Sequence, residues 1–303
     1  MRRRRIAAGR PRALAFGLAL AAATCCGDRP PAVRPGPAPT AEQLLSVLAT
    51  RQTLLRSMNA RTRATSWIGG ERLRATVLLL VARRGALRIE AEVSLQGTVS
   101  ILTTQAGRDA DSDADADGTK TSARFQLLDV RNNRLQQGPA CPENVASLIR
   151  IPLAPDEVAA ILLGDAKLPR AIAASDASVA WDAIRGADAL VVKDGAVERR
   201  VLFAPDSRRG EILGASASTA AGPLWRTSYE DFADVGSGLR LPSLIRFAER
   251  GASFDDGVEI KFKDRTVNPD PRAESFVITP PAGTEVVEVG CGPGGPGGAP
   301  AGP

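Results

Sequence analysis

The sequence has no histidine at all. That absence removes Ser-His-Asp and Cys-His catalysis and nearly all zinc chemistry. Cysteine is scarce, four in 303 residues, and two of the four are adjacent at Cys25 and Cys26. Aromatic residues make up 4% of the chain, and Trp67, Trp181 and Trp225 are too scattered to form a stacking platform, so they read as core or lid anchors. No G-x-S-x-G elbow and no G-x-x-x-x-G-K phosphate loop occurs. An enzyme reading would have to rest on carboxylates, Ser, Lys or Tyr, and no recognisable constellation of these is present. The chain is therefore read as a non-enzyme that needs no cofactor and no metal. No apolar run is long enough to cross a bilayer as a mature helix; the longest block, residues 13–23, falls well short of the roughly 20 residues required.

What is present at the N-terminus is more telling. Arg2, Arg3, Arg4 and Arg5 precede the apolar block, and Thr24-Cys25-Cys26-Gly27 follows it. A basic segment followed by a short apolar one is the pattern of a bacterial secretory signal. A cysteine directly after it resembles the lipobox of bacterial lipoproteins, whose cysteine sulfur receives a diacylglycerol. Thr24 stands where Gly, Ala or Ser is usual, so Cys25 is the expected attachment site and Cys26 the alternative. No Asp follows Cys25 directly, and the resemblance therefore implies an outer-membrane lipoprotein facing the periplasm. The other reading is a cleaved signal releasing a soluble periplasmic protein.

Charge changes meaning once the signal is set aside. The full chain carries 39 Lys+Arg and 34 Asp+Glu, and six of those arginines lie in residues 1–25, which hold no acid. The remainder is close to neutral, so nothing supports nucleic-acid binding, which needs a basic surface. Beyond the signal, only Cys141 and Cys291 remain, and in an exporting compartment they are expected to form a disulfide.

Residues 1–24 are thus read as a signal peptide and 25–39 as the lipid anchor with a Pro-rich tether. Residues 40–291 form the folded domain and 292–303 a disordered Gly/Pro tail. Thr40-Ala41-Glu42-Gln43 is a capping box, and Leu44, Leu45, Leu48, Leu55 and Met58 recur at helical spacing, predicting a helix to about Ser57. The period then drops to two. Leu73–Val81 and Leu87–Leu95 alternate as strands with one buried and one wet face. Gly97 permits a turn into Val99–Thr103, and a further strand is expected at Phe125–Val130. Two short helices interrupt the series, Pro142–Leu148 and Asp156–Leu163, the second stopped by Gly164. Strands resume after about residue 178, with a hairpin at Asp194-Gly195 and another alternation at Val258–Lys263. This order gives an α+β fold: one curled antiparallel sheet with helices on its concave face.

Two acidic clusters invite sharper readings. Asp113, Asp115, Asp117 and Gly118 fit positions 1, 3, 5 and 6 of a calcium loop, but Arg124 stands where the bidentate Glu belongs. Residues 109–117 therefore read as an acidic hairpin insertion. Tyr229–Asp234 carries three carboxylates without a partner acid across a cleft, and reads as a strand-to-loop edge.

The succession of helix, Leu87–Leu95 strand, Gly97 turn and then Ile151-Pro152-Leu153-Ala154-Pro155-Asp156 through Leu162-Leu163-Gly164, behind a lipobox, resembles the LolA/LolB-like superfamily. That superfamily includes the outer-membrane lipoprotein receptor LolB and related lipoproteins of unknown function; the resemblance covers residues 40–170 best. It implies a half-barrel of about eleven strands lidded by helices, with an apolar cavity for acyl chains or lipoprotein cargo. Val158, Ile161 and Leu162 would face core or cavity. The loop used by LolB to insert cargo would correspond to the turn at Leu95 and Gln96. Gln96 replaces the family's apolar residue, and Leu95 continues the buried face of Leu87, Ile89 and Val93, which reads as core. Two functions fit: an acyl-chain or lipoprotein carrier, or an envelope structural or sensor lipoprotein that binds a protein partner.

Overall fold

A computed structural model describes residues 31–68, 71–93, 96–105, 123–169, 172, 174–205, 210–236 and 238–292. The first helix, α1 (Ala41–Leu54), starts as its capping box requires: the Thr40 hydroxyl accepts from the Gln43 amide at 3.2 Å and Gln43 Oε1 accepts from the Thr40 amide at 2.8 Å. It ends earlier than the helical spacing suggested. Leu55 and Met58 are both buried, yet they belong to the turn and to an unanticipated strand, β1 (Ser57–Ile68). The inward side chains of that strand, Met58, Ala60 and Thr62, are mostly small. Small side chains give a weak alternation signal even where they are fully buried.

The meander continues through β2 (Glu71–Ala82), β3 (Ala86–Val93), β4 (Gly97–Thr104), β5 (Arg124–Asp129) and β6 (Arg134–Pro139). Two helices follow, α2 (Pro142–Ile149) and α3 (Pro155–Leu162), each opened by a proline at its first position, where the missing N–H costs nothing. A second meander runs through β7 (Ala177–Asp182), β8 (Ala187–Asp194), β9 (Val197–Phe203), β10 (Ile212–Thr219), β11 (Gly222–Asp234), β12 (Arg240–Glu249) and β13 (Val258–Val267), and the last strand is β14 (Glu285–Glu288). Gly195, at φ 60, makes the tight turn that pairs Asp194 with Val197.

The strands form one sheet in the order β14-β6-β5-β4-β3-β2-β1-β13-β12-β11-β10-β9-β8-β7. The two meanders join where β13 returns antiparallel to β1, with Met58 opposite Val267. Among the described strands only β14 is parallel to its neighbour, β6. The fold is the expected α+β class, a curled antiparallel sheet with helices on one face; the sheet has 14 strands instead of eleven. One core fills the concave side: Leu44 and Leu48 from α1 and Val158 and Ile161 from α3 pack on Leu79, Ile89, Leu102, Phe203 and Phe247. Each such side chain contributes about 1.5–3 kcal/mol on burial.

The Tyr229–Asp234 segment ends β11 and runs into the loop before β12; it pairs with β12, while the pairing with β10 stops at Arg226. Tyr229 points into the core at 2% exposure, while Glu230 takes both carboxylate oxygens to Arg246 at 2.6 and 2.7 Å. Of the tryptophans, Trp225 is buried against Phe247. Trp67 and Trp181 lie instead under arginines, Arg72 and Arg34.

Candidate functional site

The concave face is not filled along its whole length. Between β1, β2, β3, β13 and the underside of α2 lies a cavity of about 290 Å³. Its existence follows from side-chain size. Toward one end of the strands the inward residues Val81 and Leu87 lie in the packed core with α3. Toward the β1–β2 turn the sheet offers Thr62, Ala64, Ala75 and Ala91, which leave space under Leu148, Ile149 and Leu162. The Thr62 hydroxyl donates to the Val77 carbonyl at 3.0 Å, which satisfies its polar atom. Leu73, 49% exposed, lies at the mouth. Two exposed arginines, Arg74 and Arg150, also line the cavity. Arg150 is the left-handed C-cap of α2, at φ 58, its amide donating to the Ala146 carbonyl at 3.0 Å.

The residues expected at the site divide. Leu162 lines the cavity. Val158 and Ile161, from the same helix, are 0% and 1% exposed in the core and do not reach it. Gln96 is exposed in the β3–β4 turn, its amide donating to the Val93 carbonyl at 3.0 Å. Leu95, Cys25, Cys26 and the acidic segment 109–117 lie outside the described residues. Cys141 and Cys291 are joined by a disulfide, Cα atoms 6.0 Å apart. The bond ties the N-cap of α2 to the chain just beyond β14.

A buried polar cluster was not anticipated. Arg51 of α1 is 2% exposed and donates to the carbonyls of Gly164 at 3.1 Å and Arg240 at 3.4 Å. Asp165 is fully buried; its carboxylate receives Arg83 at 2.7 Å and the Ala166 amide at 2.8 Å, and its carbonyl accepts from the Tyr229 hydroxyl at 2.7 Å. Burial pushes the Asp165 carboxyl above the usual range, opposed by Arg83 and Arg51. Burial likewise raises the Tyr229 hydroxyl and lowers the Arg51 guanidinium. The one sequence signal for this cluster was Arg51 itself, a charge on the apolar stripe of Leu44 and Leu48. These groups hold α1, the end of α3 and β11 together; Arg51, Asp165 and Tyr229 are buried, and Arg83 reaches the neighbouring cleft. A second, more polar cleft of about 600 Å³ lies beside it. There Arg83 is already held by Asp165, and Lys167 is paired with Asp156. Among the described residues no group of three or more His, Cys, Asp or Glu side chains is placed to hold a metal ion.

No protein-family model matches the chain, and no curated protein matches its sequence. Solved structures match its fold. A DUF1329 family protein from Desulfovibrio piger superposes with a TM-score of 0.52 at 8% identity, over 78% of this chain and 97% of its own. A protein from Vibrio parahaemolyticus described as an outer membrane lipoprotein-sorting domain gives 0.50 at 10% identity, over 78% and 97%. A LolA superfamily protein from Nitrosomonas europaea gives 0.49 at 12% identity, over 80% and 99%. The likeness is one of fold, and the first two carry it.

Proposed function

We propose that this protein is an envelope lipoprotein that holds acyl chains in the cavity beneath α2. The cavity carries the reading: its walls are mostly aliphatic, it opens toward the strand ends at the β1–β2 turn, and it lies between the sheet and a short helix. Its volume sits at the lower end of ordinary ligand sites, about 300–1,000 Å³, which suits part of an acyl chain. Arg74 and Arg150 would meet an anionic head at the mouth. The fold is shared with a protein described as lipoprotein-sorting, which supports lipoprotein cargo as the source of the chain. In this reading residues 1–24 are removed, Cys25 (or Cys26) bears the lipid, 25–39 form the tether to a domain at 40–291, and 292–303 are a tail. The protein sits on the outer membrane facing the periplasm, has no part in nucleic-acid binding, and is not an enzyme.

Titration of delipidated protein with a fluorescent fatty acid tests this. Saturable uptake, lost in Ala64→Phe, is the expected result; no saturable uptake overturns the carrier reading. A second reading, a structural or sensor lipoprotein with a protein partner, draws on the close packing beneath α1 and α3, which leaves only part of the concave face open. Mass spectrometry of lipids that co-purify with the protein separates the two.

A further inference from the structure

The chain entering the domain is fastened to one end of the sheet. The Ala32 amide donates to the Ala183 carbonyl at 2.8 Å, and the Trp181 indole donates to the Ala32 carbonyl at 2.7 Å. Arg34 lies over the Trp181 ring at 5.2 Å and pairs with Asp188 at 2.8 Å. The Asp188 side chain is only 4% exposed, so without Arg34 it would be a buried charge with no counter-charge. Gly186, at φ 61, makes the room: a Cβ there would stand 3.2 Å from the Ala32 Cβ. Residues 32–34 are therefore strapped against the β7–β8 turn.

That same place gathers unusual apolar exposure. The two most exposed large hydrophobic residues among those described are Ile184, at 93%, and Val33, at 89%; the next, Val286, is at 50%. A single exposed Ile needs no explanation. Two, from segments about 150 positions apart and held together by the strap, do. Arg185 adjoins them, exposed.

We propose that Val33 and the β7–β8 turn form a membrane-contact patch, seated in the interface of the bilayer that holds this chain's own N-terminus. The proposal rests on the anchored reading above. Its occupant is set by chain length: between Cys25 and Ala32 there are seven residue steps, and at about 3.3–3.6 Å each the strap stands within about 25 Å of an anchor on Cys25. A short apolar projection is suited to that interface, its side chains among the acyl carbons. Orientation follows. In an antiparallel sheet successive turns alternate between ends, and the β7–β8 turn lies at the end opposite the β1–β2 turn, toward which the cavity opens. The cavity mouth would face away from the anchoring membrane.

Photo-crosslinking tests the patch. The full chain, expressed with its leader and purified from membranes, carries benzoylphenylalanine at position 184, 33 or, as a control at the opposite end of the sheet, 132. Each is reconstituted in phosphatidylethanolamine–phosphatidylglycerol vesicles. Lipid adducts at 184 and 33 several-fold above those at 132 are expected. A protein that floats with the vesicles but gives equal or no lipid adducts at 184, or crosslinks there to a second copy or another protein, overturns the patch alone. A protein that does not float overturns the anchored reading, and the patch with it.

Discussion

Asp165 is sealed from water and held by Arg83 and the Ala166 amide, and its removal would leave Arg83 and Arg51 without their shared anion. Asp165→Ala is therefore expected to destabilise the protein by about 3–5 kcal/mol in urea denaturation, the usual cost of breaking a buried pair from one side. The pH dependence has a definite sign. Burial raises this carboxyl, so the folded state binds the proton more tightly than the unfolded chain, where the pKa is about 3.9. The group's contribution to stability is thus largest below that value and falls as pH rises through the raised one. Urea midpoints measured across that interval should show this downward contribution in the wild type and lose it in Asp165→Asn. Ala64 poses a different test. Ala64→Leu would extend into empty space, so it should leave stability unchanged or raise it by up to about 1 kcal/mol while weakening fatty-acid uptake. At this scale the sequence showed little: Ala64 and Ala75 carry no mark that separates a cavity wall from any other alanine.

Among the elements, the least supported is β14, a four-residue strand paired only with β6 at the edge of the sheet. The Cys141–Cys291 bond stands just beyond it and closes a separation of 150 residues. Chain-entropy reasoning assigns such a closure on the order of 4–5 kcal/mol. Cys141→Ser with Cys291→Ser is expected to lower unfolding free energy by about 2–5 kcal/mol. Amides of β14 should lose hydrogen-exchange protection before those of β1 or β12, because edge elements open first. The α1 capping box, the two proline-led helices and the Asp194-Gly195 turn could all be read from the chain because each is a short-range rule satisfied within a few residues. The strand β1 could not. Thr62 is buried and Ala64 half-buried on a strand paired between β2 and β13, and nothing in their own order announces it.

For the whole molecule, anchoring is the property most open to a direct experiment. In cells fed a palmitate analogue, the wild type should carry label in the membrane fraction, and the Cys25→Ala, Cys26→Ala double variant should lose both. Retained label in that variant would remove the lipoprotein reading. The chain's own order determined the kinds of element, the buried face of strands such as β2, β3 and β13, and the near-neutral charge of the chain after residue 25, because periodicity and composition are local or summed properties. The tertiary structure alone decided the rest. It decided that β13 closes on β1, about 200 positions away, and that Arg51 and Asp165 share one buried site. It also decided that small inward residues coincide under α2 to leave a cavity, and that the segments of Val33 and Ile184 are joined at one end of the sheet. A period states which face of a strand is buried; only packing states against what, and how completely.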